Sequence, residues 1–422
     1  MADNPAAKFG LMRGKTPDEA KFFWTGGPVM ASERTWFASQ FSGCTAFETD
    51  EGLVLVDTGT KQFAPSIAAM LRQKTQAPVH TAIYTHGHVD HAYGLESFLM
   101  PGQARPRVIA HSAMPARFAR YKATAHHNAA LNARQFGGTV EAASSEAYAS
   151  FGEPPIPPDT LYDDHMRIVV GGVAFELNHC KGETDDHTWV WCPERRVLCP
   201  GDLFIWAVPN DGNPQKVQRY PWERAKGLRA MAALRPLALC PGHGGPVIGE
   251  AAKIIAMLTE TADFLDTIVS RTLAAMEAGS PPHVDIVTGI ALPVSDSPWL
   301  QPVYDDTEFL VRNTIRFYGG WWSGRPSELK PAPREALAKE MASLCGGALK
   351  LAERAEVIAK TGDYRLACHL ADYALEAAPG DKTVQEKVAA LYDARAKTEE
   401  SLMTINIFNS AAAYAKAGRA FK

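Results

Sequence analysis

Thr85-His86-Gly87-His88-Val89-Asp90-His91 places four metal-ligand side chains within six residues. The preceding run Val79–Tyr84 is short and mostly apolar and reads as a strand. The cluster therefore sits where a strand passes into a helix. In extended backbone, two imidazoles two residues apart, His86 and His88, can face one cation. Asp90 and His91, a turn further on, can reach a second. Nitrogen and carboxylate donors suit borderline divalent ions such as zinc. The rival reading is a polar loop with surface histidines, and H-x-H-x-D-H is too specific a pattern for it.

Outward from this loop, the first ~260 residues alternate strand-like and helix-like segments. Thr45–Thr49 and Leu53–Val56 flank the turn Asp50-Glu51-Gly52 and read as a hairpin. Phe63 to Lys74 has helical spacing. Met166–Val170 and Val173–Leu177 flank Gly171-Gly172, a second hairpin signal. Thr188–Cys192 and Arg196–Leu198 make a third pair, and Ala238–Cys240 is a further short strand. Ala113 to Pro158 is polar and Ala-rich, ends in a Pro-rich run, and reads as an insertion or lid. From about Ala251 the pattern is helical. Residues 335–420 carry apolar 3–4 spacing throughout. There Leu349–Lys360, Gly362-Asp363-Tyr364 and Pro379 suggest one tetratricopeptide-like helix pair, not a long solenoid.

The chain has 422 residues, more than one core usually covers, so two domains are expected. A net charge of −4 argues against a nucleic-acid partner, which needs a basic face. Seven cysteines, an odd number without a dense framework, read as reduced thiols of a cytoplasmic protein. The start, Met1 to Lys15, has no apolar core of a signal peptide. No apolar run reaches the roughly 20 residues that cross a bilayer.

The loop motif, followed by Gly94, resembles the central motif of the metallo-β-lactamase superfamily. That resemblance implies an αββα sandwich with a dinuclear metal site, and further stations follow in order. Asp57 matches the residue that braces the metal loop. Asp202, in Cys199-Pro200-Gly201-Asp202, matches the carboxylate between the two metals. His243, in Pro241-Gly242-His243-Gly244, matches the last metal histidine. The remaining station departs from the common Gly-His-Thr and reads Gly182-Glu183-Thr184-Asp185. Glu183 thus stands at the usual histidine position, with His179 or His187 as the ligand in a rival alignment.

Glutamate at that station is similar to the alkyl sulfatase branch. Phe317-Tyr318-Gly319-Gly320-Trp321-Trp322, Gly346-Gly347-Ala348 and Pro379 resemble landmarks around that branch's α-helical dimerisation domain. The implied organisation is a catalytic domain over 1–265 with 113–158 as insertion or lid. A connection over 266–334 and an all-α dimerisation domain over 335–422 follow. Two features depart from the branch: Asp202 replaces its usual glutamate, and its sulfate-holding arginine is missing from Pro209–Lys216. Lys216 or Arg219 is expected to substitute, although lysine lacks the arginine fork. The sequence runs to Lys422 without the sterol-carrier-like domain of long alkyl sulfatases, so a short form is expected.

The resemblance implies that His86, His88 and Glu183 hold one metal and Asp90, His91 and His243 the other, with Asp202 bridging. Two cations roughly 3.5–4 Å apart can share a hydroxide that attacks the ester. The expected activity is hydrolysis of an alkyl sulfate or related small ester. Lactone, phosphoester or carboxylic ester hydrolysis is the rival of the same fold, and iron-dependent redox chemistry the rival of another class. Asp57 and His179 are expected to support the ligands from behind. Leaving-group protonation is assigned to His187, Tyr220, His126 or His127. Phe204, Trp206 and Tyr220 are expected to wall an apolar pocket, and Asn128 matches a lid asparagine of the branch. Partners are a small-molecule ester and a second copy through the C-terminal helices, with no nucleic acid or membrane.

Overall fold

A computed structural model of the chain describes residues 21–136, 138–139, 154–281 and 285–421. Residues 140–153 of the expected insertion, Pro282 of the expected connection and the Met1–Lys15 start lie outside the described residues. The described residues divide into two compact units. One comprises 21–124, 154–280 and 285–319; the other comprises 125–136, 138–139, 281 and 320–421.

The first unit is built on two sheets. Strands β1 (Gly26–Ser32), β2 (Thr35–Gln40), β3 (Ser42–Thr49), β4 (Gly52–Val56), β5 (Val79–Ile83), β6 (Arg107–His111) and β7 (Thr160–Tyr162) lie in that order across one sheet. The pairings are antiparallel up to β4 and parallel from β4 to β7. The second sheet holds β8 (His165–Val170), β9 (Val173–His179), β10 (Thr188–Cys192), β11 (Val197–Ile205), β12 (Ala238–His243) and β13 (Val247–Ile248). Only β11 and β12 are parallel there.

Strand alternation explains the layers. Val54 and Val56 of β4 join Phe37, Phe47 and Ile83 against Phe175, Leu177, Val190 and Cys240 of the other sheet. Leu53 and Leu55 point the opposite way, onto Ile67 and Leu71 of helix α1 (Ala64–Arg72) and Phe118 of α2 (Met114–Ala123). A strand buried on both faces reads as a continuous apolar run, as Leu53–Val56 does. The helix α3 (Ala125–Gln135) belongs to the second unit. In the first unit, α4 (Pro221–Ala233) and α5 (Ala251–Glu277) cover the outer face of the second sheet. Helix α6 (Thr307–Gly319) packs on α5.

The three hairpins expected from sequence are present. Sequence reading passed over β1 and β2, and it stopped β11 at Leu198, whereas the strand runs on through Asp202.

The second unit is helical: α7 (Arg334–Cys345), α8 (Ala348–Ala359), α9 (Tyr364–Ala377), α10 (Lys382–Ala396) and α11 (Leu402–Lys416) follow α3. Small residues at the contacts, among them Ala352, Ala355, Ala367, Ala371 and Ala374, bring helix axes close around Leu351, Leu375 and Val388. The caps are encoded locally. Asp363 accepts from Leu366 N, Asp381 from Val384 N and Ser401 from Thr404 N. Gly346, at φ 84°, ends α7 in the left-handed conformation. No helix among the described residues is long and apolar enough to cross a membrane.

Candidate metal centre

The parallel strand pairs β4–β5 and β11–β12 end at one edge of the sandwich, and their C-terminal ends carry the donors. His86 and His88 follow β5, and Asp90 and His91 lie on the single turn Val89–Ala92. Asp202 lies within β11, and His243 ends β12. Two groups result: His86, His88 and Asp202, and Asp90, His91 and His243. Within each group one donor atom per residue lies within 4.8 Å of the others. Asp202 joins the groups, its Oδ2 lying 3.9 Å from His86 Nε2 and 3.3 Å from His243 Nε2. Its Oδ1 lies 3.3 Å from His91 Nε2.

Outer contacts fix which nitrogen each ring presents. His91 Nδ1 bonds Asp57 Oδ2 at 2.7 Å, and His243 Nδ1 bonds the Phe41 carbonyl at 2.7 Å, which leaves both Nε2 atoms inward. Asp57 also accepts from Thr85 N at 2.7 Å and Thr85 Oγ1 at 2.8 Å. The Ser42 hydroxyl donates to the Asp90 carbonyl. Gly87 N donates to Asp186 Oδ2 at 2.9 Å, and Asp186 is held in turn by Arg117 Nε at 2.9 Å. Glycine is required at two close approaches. A Cβ on Gly242 would stand 1.9 Å from Asp202 Oδ1, and one on Gly201 would stand 2.6 Å from His187 Cε1.

The donors fit a cation. His91 Nε2, Asp202 Oδ1 and Glu183 Oε2 are buried without a hydrogen-bond partner. Leaving such groups unpaired costs about 1–3 kcal/mol each, more if charged, and a bound ion would satisfy them. Without an ion, protons would take its place. Burial pushes the His243 pKa down, but the Asp202 and Asp90 carboxylates outweigh it and hold the ring up to about 10. Burial likewise opposes the Asp202 carboxylate, yet His243 and His91 hold it well below the usual range. A divalent cation would displace those protons.

Glu183 sits at the rim of this set. Its Oε1 lies 3.6 Å from His88 Nδ1 but is engaged by Arg219 Nη1 at 2.5 Å and Asn210 Nδ2 at 2.7 Å. Burial raises its pKa to about 7 against the pull of Arg219. Only Oε2 is left to meet a cation, so the first group closes on Asp202 more directly than on Glu183.

The other expected residues are spread more widely. His187 is fully buried and stacks on His86, and its Nε2 accepts the Asp202 backbone N–H at 3.0 Å. It therefore braces the bridging strand. His179 stacks on His111 at 3.7 Å, and its Nδ1 lies 3.0 Å from the His187 carbonyl. Phe204 is wholly buried, and Trp206 donates its indole N–H to Gly245 O at 2.7 Å. Both are interior residues. Tyr220 is half-buried, packed on Phe317 and under Lys181. Lys216 is half-buried, and burial and the Arg219 charge push its pKa down to about 8, with Glu183 and Asp90 pulling upward. Asn128, like His126 and His127, lies on α3 of the second unit.

Sequence reading missed Asn210, Asp186, Arg117 and Arg224. Each acts through a bond between segments separated in sequence, which no local pattern announces.

Residues 41–243 match the metallo-beta-lactamase superfamily, and residues 283–418 match the alkyl sulfatase dimerisation family. A linear primary-alkylsulfatase of Pseudomonas sp. (strain ATCC 19151) is 24% identical over 80% of this chain and 67% of that protein. An (R)-specific secondary-alkylsulfatase of Pseudomonas sp. is 23% identical over 87% of this chain and 59% of that one. The chain spans between 55 and 67% of the length of such relatives. The solved structure of the stereoselective inverting sec-alkylsulfatase Pisa1 from Pseudomonas sp. shares the fold. Its TM-score is 0.84 at 20% identity, covering 97% of this chain and 70% of that one.

Proposed function

From the match of residues 41–243 to the metallo-beta-lactamase superfamily and of residues 283–418 to the alkyl sulfatase dimerisation family, we propose that the chain is a dinuclear metal-dependent hydrolase of alkyl sulfate esters. The observation that carries the reading is the joining of two donor triads through Asp202, with cationic side chains next to them. Zinc suits a set made only of imidazole and carboxylate. His86, His88, Asp202 and Glu183 Oε2 would hold one ion, and Asp90, His91, His243 and Asp202 the other. When bound, the pair supplies Lewis acidity, acidifying water and taking up charge that grows on oxygen.

The chain's own residues do the rest. Asp57 and the Phe41 carbonyl keep His91 and His243 in the tautomer that presents Nε2. The sulfate needs a cation that can meet it. Arg219 is tied to Glu183 Oε1 and to the Asn210 carbonyl at 2.7 Å. The Lys216 ammonium, close enough to Arg219, Glu183 and Asp90 to feel their charges, is the cation proposed for the sulfate. Lysine meets an anion as a point charge and not as a fork. The second unit exposes Leu337, Leu344 and Leu366, which suits a homodimer built on its helices. Seven unpaired thiols suit a cytoplasmic place.

The test is a panel of alkyl sulfates, phosphates, lactones and carboxylic esters, assayed with measured metal occupancy. Turnover of alkyl sulfates that tracks divalent metal content is expected, with a raised KM in Lys216→Ala. Turnover of lactones or carboxylic esters alone, or stoichiometric iron with little zinc after aerobic purification, would overturn the proposal.

A further inference from the structure

Arg224, on the first turn of α4, is the largest fully buried side chain among the described residues. A guanidinium offers five donors in a fixed plane. Here Nε donates to the Leu203 carbonyl at 2.9 Å, Nη2 to the Asp202 carbonyl, and Nη1 to Asp211 Oδ1 at 2.9 Å. Both partners of the Arg224–Asp211 pair are 0% exposed. The arginine stem also closes on a third segment: a Cβ added to Gly182, next to Glu183, would lie 3.4 Å from Arg224 Cβ and Cγ. One side chain thus touches the strand of Asp202, the loop that leads to Lys216 and Arg219, and the loop of Glu183.

A buried ion pair seldom stabilises more than a well-packed apolar pair of the same volume. A charge set this deep therefore calls for a reason beyond stability. The main-chain carbonyls it fastens, those of Asp202 and Leu203, lie where β11 presents its carboxylate between the two histidine groups. We propose that Arg224 is a positioning residue for the metal centre, holding the main chain of β11 so that the Asp202 carboxylate stands between the two donor groups. Asp211 is its counter-charge and holds the guanidinium plane. The inference rests on the metal-dependent reading and extends it to residues that touch neither ion nor substrate.

The test uses the metal-free full chain titrated with Co2+, whose visible absorption reports coordination geometry. Wild type should bind two equivalents. Arg224→Lys keeps the charge but loses the fork, and Asp211→Asn keeps the shape but loses the charge. Both should stay folded, bind the second equivalent about 10–100-fold more weakly, and show an altered cobalt spectrum. Arg224→Met should do the same; if it does not fold, the two conservative variants carry the comparison. Variants that bind both equivalents with the wild-type spectrum overturn the inference, and so does lowered thermal stability with that spectrum unaltered. Wild-type protein that takes up no Co2+ overturns the metal-dependent reading itself.

Discussion

Asp57→Asn isolates the support behind one ligand. Asp57 has φ 59°, a conformation that asparagine tolerates better than most residues, so the backbone should hold. Its two oxygens accept three bonds: Oδ1 from Thr85 N, and Oδ2 from Thr85 Oγ1 and His91 Nδ1. An amide has one oxygen for the same three donors. If that oxygen keeps Thr85 N, the new NH2 faces His91 Nδ1. The ring must then move its proton to Nε2, the atom meant for the cation. If the oxygen turns to His91, the NH2 meets the Thr85 N–H, and a buried donor is stranded at about 1–3 kcal/mol. The first outcome should weaken the cation at Asp90, His91 and His243 about 10–100-fold, or about 1.4–2.8 kcal/mol. Competition against a chromophoric chelator measures that loss, and melting of the metal-free protein measures the second. Two cations held at wild-type affinity, with unchanged metal-free melting, would refute the reasoning.

Glu183→Gln should lower occupancy of the His86, His88 and Asp202 group alone, because the amide can still accept from Arg219 but turns an NH2 toward the cation; metal analysis showing both ions retained would return His179 or His187 as the ligand. Gly242→Ala should cost metal content and turnover together, because its Cβ would stand 1.9 Å from Asp202 Oδ1; full occupancy in a folded variant would contradict the packing. Asp305 is fully buried, accepts from Gly212 N and Asp306 N, and is pushed by burial from its ordinary 3.8 up to about 7. A raised carboxyl pKa means the fold favours the protonated form, so wild type should lose stability as pH rises from about 4 to about 7, by up to ~4 kcal/mol. Asp305→Asn cannot titrate, so the stability of wild type relative to the variant should fall over that window, and a difference flat with pH would sink the assignment.

What was legible in the sequence was whatever short-range chemistry enforces. H-x-H-x-D-H, the Gly-His that ends β12 and the Gly-Asp within β11 are local because a strand end must turn sharply while it aims a side chain. Leu53–Val56 could be read as a buried strand from composition alone. Strands β1 and β2 could not: Gly26-Gly27-Pro28 looks like loop, and the hairpin is held by long-range contacts, such as Trp24 against Phe37 and Arg195 Nη1 donating to Thr35 Oγ1 at 2.9 Å. The placing of Ala125–Gln135 in the second unit was equally hidden. Its residues give an amphipathic helix without saying what it lies on, and that partner is α11, almost three hundred residues later.

The same distinction bears on the side chains around the centre. His187 has the residue type and the neighbourhood of a catalytic acid, and nothing local shows that its Nε2 is already taken by the Asp202 amide. Phe204 and Trp206 follow Asp202 by two and four residues. A strand that delivers its carboxylate to the edge must bury what comes next, and both side chains go to the interior. A motif therefore tells which side chains arrive at the edge. Which of their atoms remain available is decided by partners on other strands: Asp57 for His91, Phe41 for His243, Arg219 for Glu183. For this centre, the chemistry open to each donor is set by the group behind it as much as by its own residue type.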